Sequence, residues 1–187
     1  MSSKNELASR LEQTESIIRW AVSNVPSDRL MQPPPHGKHP NSHKGFKTYF
    51  GEWPALRQLF HLTFYEEIYA IPTMEHWLGG PHPSVDLTFP DSELEERPWR
   101  DAVGRGIGAT PLLERFHELR AVQISLLRDI PEEDWQIEKV ETGLGTVSAE
   151  FVVTKTIQHS LEHGNELMKN ALYWERALAW LDRQTVG

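Results

Sequence analysis

Apolar residues recur every three to four positions in two stretches of the N-terminal half, a spacing typical of one face of an α-helix. The first stretch runs from Lys4 to Asn24, and Pro26 ends it. The second covers Thr48 to Tyr69. We place its start near Trp53, because Pro54 is tolerated in the first helical turn and not in a helix interior. Both stretches are long enough to be helices of a bundle.

Two further stretches in the C-terminal half have the same spacing. One covers Thr110 to Asp129, with its first residue as N-cap and Pro111 in the first helical position. The other covers Ala149 to Asn170 and is preceded by Ser148, a residue type that commonly caps helices. Helical spacing continues from there to Arg183. These patterns predict a third and a fourth bundle helix, the fourth with a C-terminal extension.

The segments between the helices contain many helix-breaking residues. Gln32–Lys47 is rich in proline and histidine and predicts an extended surface loop. Ser84–Gly108 has little periodicity and predicts a loop with short helical turns, and Gly143–Gly145 predicts a turn. No segment alternates with period two for long. We therefore expect an all-α protein in which residues 1–187 form one domain, a four-helix bundle with long loops.

Composition narrows the class of protein. Hydrophobic residues make up 39% and charged residues 25% of the chain, which excludes wholesale disorder. No apolar stretch approaches the roughly 20 residues that a membrane span needs. The N-terminal segment has no apolar signal-peptide core, so we expect a cytoplasmic protein. The net charge of −8 argues against nucleic acid or an anionic membrane as the main partner.

Histidines supply the clearest candidate chemistry. The chain has no cysteine, which leaves any metal to histidine and carboxylate ligands. His159 and His163 are one helical turn apart, and His61 lies inside the apolar run of the second predicted helix. A single histidine on an apolar stripe is more often a hydrogen-bonded core residue than a ligand. Three of them from two facing helices could hold a divalent transition metal and leave one position open.

Helical phase adds further residues to this site. Two stripes at about 100° per residue would face each other, and they contain Val152, Thr156, His159, His163, Glu166 and Asn170 on the fourth helix and Gln58, His61, Tyr65 and Ile68 on the second. Tyr65, one turn past His61, is a candidate hydrogen-bond donor to a metal-bound group. Glu162 and Glu166 flank the ligand stripe and are candidates for base catalysis or for orienting the ligands.

Three short motifs resemble those of DinB-like (YfiT-like) metalloproteins. Trp53–His61 resembles the family's W-x-A-x-x-x-L-x-H, Gln158–His163 contains its His-x-x-x-His, and Val25–Leu30 contains its P-x-x-x-L. The resemblance implies a bundle of up-down-down-up topology, commonly a homodimer. It implies that His61, His159 and His163 bind a nickel or zinc ion. It also implies two reaction types, hydrolysis and transfer of a low-molecular-weight thiol to an electrophile.

Other polar groups compete with this site. Glu114 and His117 form a Glu-x-x-His of the kind that di-iron bundles use, but such a site needs two of these motifs, so we favour a surface position. Glu66 and Glu67 are adjacent on a helix, so at most one of them faces inward. A third group lies in the proline-rich loop, where we expect solvated side chains: His36, His39 and His43.

Two function classes remain open at this stage. The first is a metal-dependent hydrolase or thiol transferase with a small-molecule substrate. The second is a non-catalytic bundle that binds a small molecule or keeps the metal as a structural clamp. We expect the loops Gln32–Lys47 and Ser84–Gly108 to cover the mouth of the pocket, with Trp53 or Trp77 in its walls. Three apolar residues of the last segment are expected to cover the bundle end or a partner chain: Trp174, Leu178 and Leu181.

Overall fold

The protein is built from helices, with one short hairpin. The computed structural model describes residues 3–35, 49–88 and 91–183. The α-helices are α1 (Lys4–Asn24), α2 (Ala55–Tyr65), α3 (Ile71–Glu75), α4 (Ser92–Gly104), α5 (Ala109–Asp129) and α6 (Ala149–Arg183). A π-helical turn, Glu66–Ala70, joins α2 to α3 without a break, and 3₁₀ turns follow α1 and α3 at Ser27–Arg29 and His76–Leu78. The strands β1 (Val140–Thr142) and β2 (Gly145–Val147) pair antiparallel.

Polar contacts between side chains and neighbouring helices fix the directions of the bundle helices α1, α2, α5 and α6. They join Lys4 to Ile130, Glu15 to His117, Arg120 to Ser160, Gln123 to Thr156, Gln58 to His163 and His61 to His159. Along each pair of helices, the numbers of the contacting residues rise on one helix and fall on the other. Thus α5 is antiparallel to α1 and to α6, and α2 is antiparallel to α6. The order is up-down-down-up, so the predicted four-helix bundle is confirmed.

Two apolar clusters fill the bundle. One includes Leu11 and Leu127, and the other includes Leu59 and Phe116, all of which are fully buried. The apolar stripes explain why these helices pack together, since each buried leucine or phenylalanine contributes roughly 1.5–3 kcal/mol relative to an exposed one. No helix within the described residues is both long and apolar enough to cross a membrane.

The segment Ser84–Gly108 differs from the expectation of a loop with short turns. It contains α4, a helix of 13 residues whose N-cap is Asp91, and the Asp91 carboxylate accepts a hydrogen bond from the Glu93 N–H at 2.9 Å. The buried positions of α4 do have helical spacing, but they are occupied by Glu95 and Ala102. Because a carboxylate occupies a buried position, the hydrophobic pattern alone does not predict this helix.

Other boundaries differ by a few residues. Pro54 precedes α2 as its cap residue instead of lying in the first turn, and α5 begins one residue before Thr110, with Gly108 in the cap position. Ser148 caps α6 as expected, because its Oγ accepts from the Phe151 N–H at 3.2 Å. The hairpin around Gly143 was not predicted beyond its turn, since strands of three residues are too short to show alternation.

The C-terminal extension continues α6 without interruption to residue 183. Trp174 is buried and lies under the guanidinium of Arg29, whose carbon is 5.5 Å from the ring centroid. Arg29 also forms an ion pair with Glu175. Trp174 therefore covers the end of the bundle within its own chain, while Leu172 on the same helix is 52% exposed.

Candidate metal centre

Three imidazoles meet between α2 and α6, as the sequence predicts. The ring centroids of His61, His159 and His163 lie 4.9, 5.0 and 4.9 Å apart, which is nearly an equilateral triangle. Each ring offers one nitrogen such that these atoms all lie within 4.8 Å of one another, and the Nε2 atoms of His61 and His159 are 2.9 Å apart. An ion with metal–nitrogen bonds of about 2.0–2.1 Å could bridge the two nitrogens that are 2.9 Å apart, since two such bonds span up to about 4.2 Å. The cluster could therefore hold a metal ion.

Burial keeps two of these imidazoles neutral. Burial and, to a smaller extent, the neighbouring imidazoles of His163 and His61 lower the pKa of His159 to about 2. Burial, and to a smaller extent the proximity of His61, lowers the pKa of His163 to about 3. A neutral imidazole has a lone pair on one nitrogen, which is the form that binds a metal. Both residues are therefore ready to act as ligands at neutral pH.

A buried amide orients His163. The Gln58 side chain is fully buried, and its Nε2 donates to the Trp53 carbonyl at 3.2 Å. Its Oε1 is then the acceptor for the Nδ1–H of His163 at 3.3 Å. The indole of Trp53 lies parallel to the His163 ring, with centroids 6.1 Å apart and an interplanar angle of 6°. These contacts leave the Nε2 of His163 without a proton, so it can serve as a ligand atom.

A carboxylate contacts His61 from a helix that sequence reasoning missed. The Oε2 of Glu95 on α4 lies 2.6 Å from the Nδ1 of His61, and Glu95 is 4% exposed. The other oxygen of Glu95 is 3.1 Å from the Nη1 of Arg57. Nothing in the sequence identifies Glu95, because it lies in an acidic run whose pattern resembles a solvated surface.

Arg57 is itself held in place by its surroundings. Its Nη2 donates to Glu96 at 2.8 Å, and only 4% of the residue is exposed. Its guanidinium carbon lies 5.1 Å from the ring centroid of Trp53 and 5.0 Å from that of Trp99. Cations over aromatic faces at such distances are attracted by the ring electrons. A short chain of contacts therefore runs from Arg57 through Glu95 to the histidine cluster.

A cavity of about 200 Å³ opens beside the cluster. Its walls are aromatic and its polar lining is mostly acidic, and the lining residues are Trp53, Arg57, His61, Phe64, Tyr65, Tyr69, Asp91, Glu95 and Glu96. Tyr65 lies between the cavity and the cluster, with its ring centroid 4.4 Å from that of His159. Burial raises the pKa of Tyr65, so its hydroxyl keeps its proton and can donate a hydrogen bond. Of the two tryptophans expected in the walls, Trp53 is present.

The other expected wall residue and the two α6 glutamates lie elsewhere. Trp77 is buried in the core, and its Nε1 donates to the Ile137 carbonyl at 3.1 Å. Glu162 is exposed and accepts a hydrogen bond from Gln158 at 3.0 Å. Glu166 is half-buried, and burial raises its pKa, with Lys169 acting in the opposite direction and Glu162 adding to the rise. Neither glutamate lines the cavity beside His61.

Glu166 lies against a tight turn. A methyl group added to Gly51 would come within 2.2 Å of the Glu166 Oε2, so the carboxylate occupies the space directly above the glycine. Gly51 also has a φ of +77°, a backbone conformation that glycine adopts without strain. The carboxylate of Glu166 thus reaches the turn before α2.

The competing Glu114 and His117 pair lies on the protein surface. Glu114 and His117 are exposed, and the Nδ1 of His117 lies 2.8 Å from Glu15 on α1, so the surface interpretation fits. The loop histidines lie outside the described residues: His36, His39 and His43.

The two adjacent glutamates after α2 point in different directions. Glu66 is buried, 2.5 Å from the Nη2 of Arg120, and burial raises its pKa to about 7 while Arg120 opposes the rise. Glu67 forms a half-exposed ion pair with Arg115 at 2.5 Å. One of the two therefore faces inward, as expected, and it pairs with Arg120.

Comparisons with known proteins agree with this architecture. A crystal structure of a mutant of the mycothiol-dependent maleylpyruvate isomerase matches with a TM-score of 0.61 and 18% sequence identity. The match covers 89% of this chain and 61% of that one, so this chain spans about three fifths of the neighbour's length, and the likeness shows a shared fold. No curated protein matches the sequence. A family model described as the DinB superfamily matches residues 10–167. Because that match extends from α1 into α6, the protein belongs to the DinB superfamily.

Proposed function

We propose that this protein is a metal-dependent enzyme in which His61, His159 and His163 hold a divalent transition metal, with nickel or zinc as the expected ion. The donor set supports this proposal, because three imidazole nitrogens suit either metal. Burial favours the neutral, ligating form of His159 and His163. The observation that carries the proposal is the convergence of three imidazoles beside a cavity that one of them, His61, lines.

The proposed reaction is the transfer of a low-molecular-weight thiol to an electrophile. A bound ion would lower the pKa of a thiol or water in its open position, as metal centres of this type do. The chain has no cysteine, so the thiol would come from a cosubstrate. The structural neighbour is a mycothiol-dependent isomerase by its description, which favours a thiol over water as the nucleophile.

The cavity walls have definite proposed roles. Trp53, Phe64 and Tyr69 would exclude water from the reacting groups, because they form an aromatic enclosure beside His61. The Tyr65 hydroxyl, which stays protonated, would donate a hydrogen bond to the bound nucleophile or to the electrophile. We expect the enclosed part of the substrate to be small, since about 200 Å³ is less than the 300–1,000 Å³ of typical ligand pockets.

Glu166 and Glu162 are the proposed acid–base residues on α6. The raised pKa of Glu166 supports a role in proton transfer, and the proximity of Glu162 contributes to that rise. Glu166 packs on Gly51 and does not line the cavity, so we expect it to contribute less than Tyr65 does. Comparing turnover of Glu166→Gln and Tyr65→Phe tests this order.

The deciding experiment combines metal analysis with turnover. Purified protein is analysed for bound metals, stripped, reloaded with nickel or zinc, and assayed with a panel of thiols and electrophiles and, without thiol, with esters. His159→Ala removes a proposed ligand, and His117→Ala is the matched control because its imidazole is exposed on α5.

Each outcome of this experiment has a distinct meaning. Metal-dependent consumption of thiol that is lost in His159→Ala and kept in His117→Ala supports the proposal. Ester cleavage without thiol would replace transfer by hydrolysis. Stoichiometric metal without turnover would favour a binding or structural role, and failure of the wild type to bind nickel or zinc would overturn the metal centre itself.

A further inference from the structure

The carboxylate of Glu95 has no role in the function proposed so far. It is almost fully buried, and burying a charged carboxylate is costly unless its oxygens find partners. Its oxygens have two close neighbours, the Nδ1 of His61 at 2.6 Å and the Nη1 of Arg57 at 3.1 Å. One oxygen therefore contacts a proposed metal ligand, and the other contacts a buried cation.

We propose that Glu95 is a positioning residue that fixes the tautomer and ring orientation of His61 for metal binding. The inference rests on the proposed metal centre. An ionised carboxylate can only accept hydrogen bonds, so the Nδ1 of His61 must carry the proton. The Nε2 then has the lone pair, and it points toward His159, whose Nε2 is 2.9 Å away. Carboxylates that bind ligating histidines in this way also increase the basicity of the ligand.

Contacts within the protein set the position of Glu95. Arg57 is fixed by Glu96 at 2.8 Å and by the faces of Trp53 and Trp99, and it holds the second oxygen of Glu95. If the carboxylate turned away from His61, it would also lose its contact with the buried guanidinium, which would keep Glu96 as a partner. Helix α4 is consequently part of the site, because it supplies the group that orients one ligand.

The three imidazoles differ in how they are held. His163 has the neutral amide of Gln58 as its acceptor, at 3.3 Å. The Nδ1 of His159 is buried without a hydrogen-bond partner. Among the residues that the structure describes, Glu95 is therefore the one carboxylate bonded to an imidazole of the cluster. Hydrogen bonds to a charged acceptor are stronger than those to an amide, so among the hydrogen-bond partners of the three imidazoles Glu95 is expected to have the largest effect on metal affinity.

The test compares Glu95→Gln with Glu96→Gln in zinc titrations against a chromophoric chelator. Both substitutions remove one negative charge next to Arg57, but only Glu95 contacts His61. Zinc affinity is expected to fall by about 10- to 100-fold in Glu95→Gln, the usual effect of losing an orienting partner of a ligand. It is expected to fall by less in Glu96→Gln, because Arg57 loses one contact there while the Glu95 carboxylate stays beside His61. Far-UV circular dichroism confirms that both variants are folded.

The outcomes separate this inference from the proposed function. If the wild type does not bind zinc, the metal centre itself fails. If the wild type binds zinc and the two variants have equal affinities, only the role of Glu95 is overturned. A second measurement needs no variant: nitrogen-15 NMR of the zinc-loaded wild type should show the His61 proton on Nδ1. A proton on Nε2 would overturn the role of Glu95 even if the variant failed to fold.

Discussion

Acidification is expected to destabilise the metal-free protein through its two most buried imidazoles. The pKa values of His159 and His163 are about 2 and 3 in the folded protein, and the ordinary value of 6.5 applies when the chain is unfolded. Below pH 6.5 the unfolded state therefore binds protons that the folded state does not. Their contribution to stability is complete above pH 6.5 and is lost as the pH falls toward the folded values.

The size of this effect follows from the protonation of the unfolded chain. Between pH 7.5 and 5.5 each imidazole lowers the free energy of unfolding by about 1.4 kcal/mol, so the pair lowers it by roughly 2.7 kcal/mol. This figure requires only that both folded pKa values lie well below 5.5. It is a large share of the roughly 5–15 kcal/mol by which domains are stable.

Glu66 acts in the opposite direction over the same pH range. Its folded pKa is about 7, against an ordinary 4.5, so the folded state takes up its proton first and gains stability as the pH falls. The pH dependence of the wild-type free energy of unfolding therefore combines two opposing contributions. The double variant His159→Asn/His163→Asn keeps Glu66 and removes both imidazoles, so the difference between the two proteins isolates the histidine contribution.

Urea unfolding in the presence of a chelator at pH 7.5 and 5.5 measures this difference. The wild type should lose roughly 2.7 kcal/mol more than the double variant between the two pH values. Equal losses would show that the imidazoles are not held neutral by burial, and the geometry of the site would be wrong. Histidine NMR of the wild type gives an independent check, because the signals of His159 and His163 should not titrate above pH 5.

Three further predictions concern metal, turn and assembly. His159→Ala should abolish stoichiometric metal binding in elemental analysis while far-UV helicity remains, since apolar packing stabilises the bundle; loss of helicity on metal removal would instead indicate a structural ion. Gly51→Ala should lower the free energy of unfolding in urea by about 1–2 kcal/mol because alanine is strained at this positive φ, and by a further amount because its methyl group would clash with Glu166. Gly79→Ala has a φ of +87° and open space around it, so it should lower the free energy of unfolding by the backbone strain alone. Equal costs would place Glu166 elsewhere. Sedimentation at micromolar concentration should give a homodimer, and a species of 21.5 kDa would contradict it.

The bundle could be predicted from the sequence because its buried positions are apolar. Leu11 and Ile18 on α1, like Phe116 and Leu127 on α5, are buried at the spacing that the sequence pattern shows. Helix α4 could not, because a carboxylate, Glu95, occupies a buried position in its first turn. A method that reads apolar periodicity fails where a helix buries a charge in order to contact a functional group.

The meeting of the three histidines could be predicted from the sequence, and the surroundings of the candidate site less well. His61, His159 and His163 follow from spacing and resemblance, since two helical faces must meet. Glu166 shares the stripe of His163, yet its carboxylate reaches Gly51 instead of the cavity. Phase gives the direction of a side chain around the axis but not its height, and Glu166 lies three residues, or about 4.5 Å, further along α6 than His163.

The charges around the proposed metal centre bear on the choice of nucleophile. The three imidazoles would add no charge to a bound ion, and the Glu95 and Glu96 carboxylates share the Arg57 guanidinium, at 3.1 and 2.8 Å. An ion at this position would therefore keep its double positive charge in a site of low polarity, where it interacts strongly with an anion. A thiol that loses its proton on binding would offset one of the two positive charges, and Glu95 would orient His61 without binding the ion.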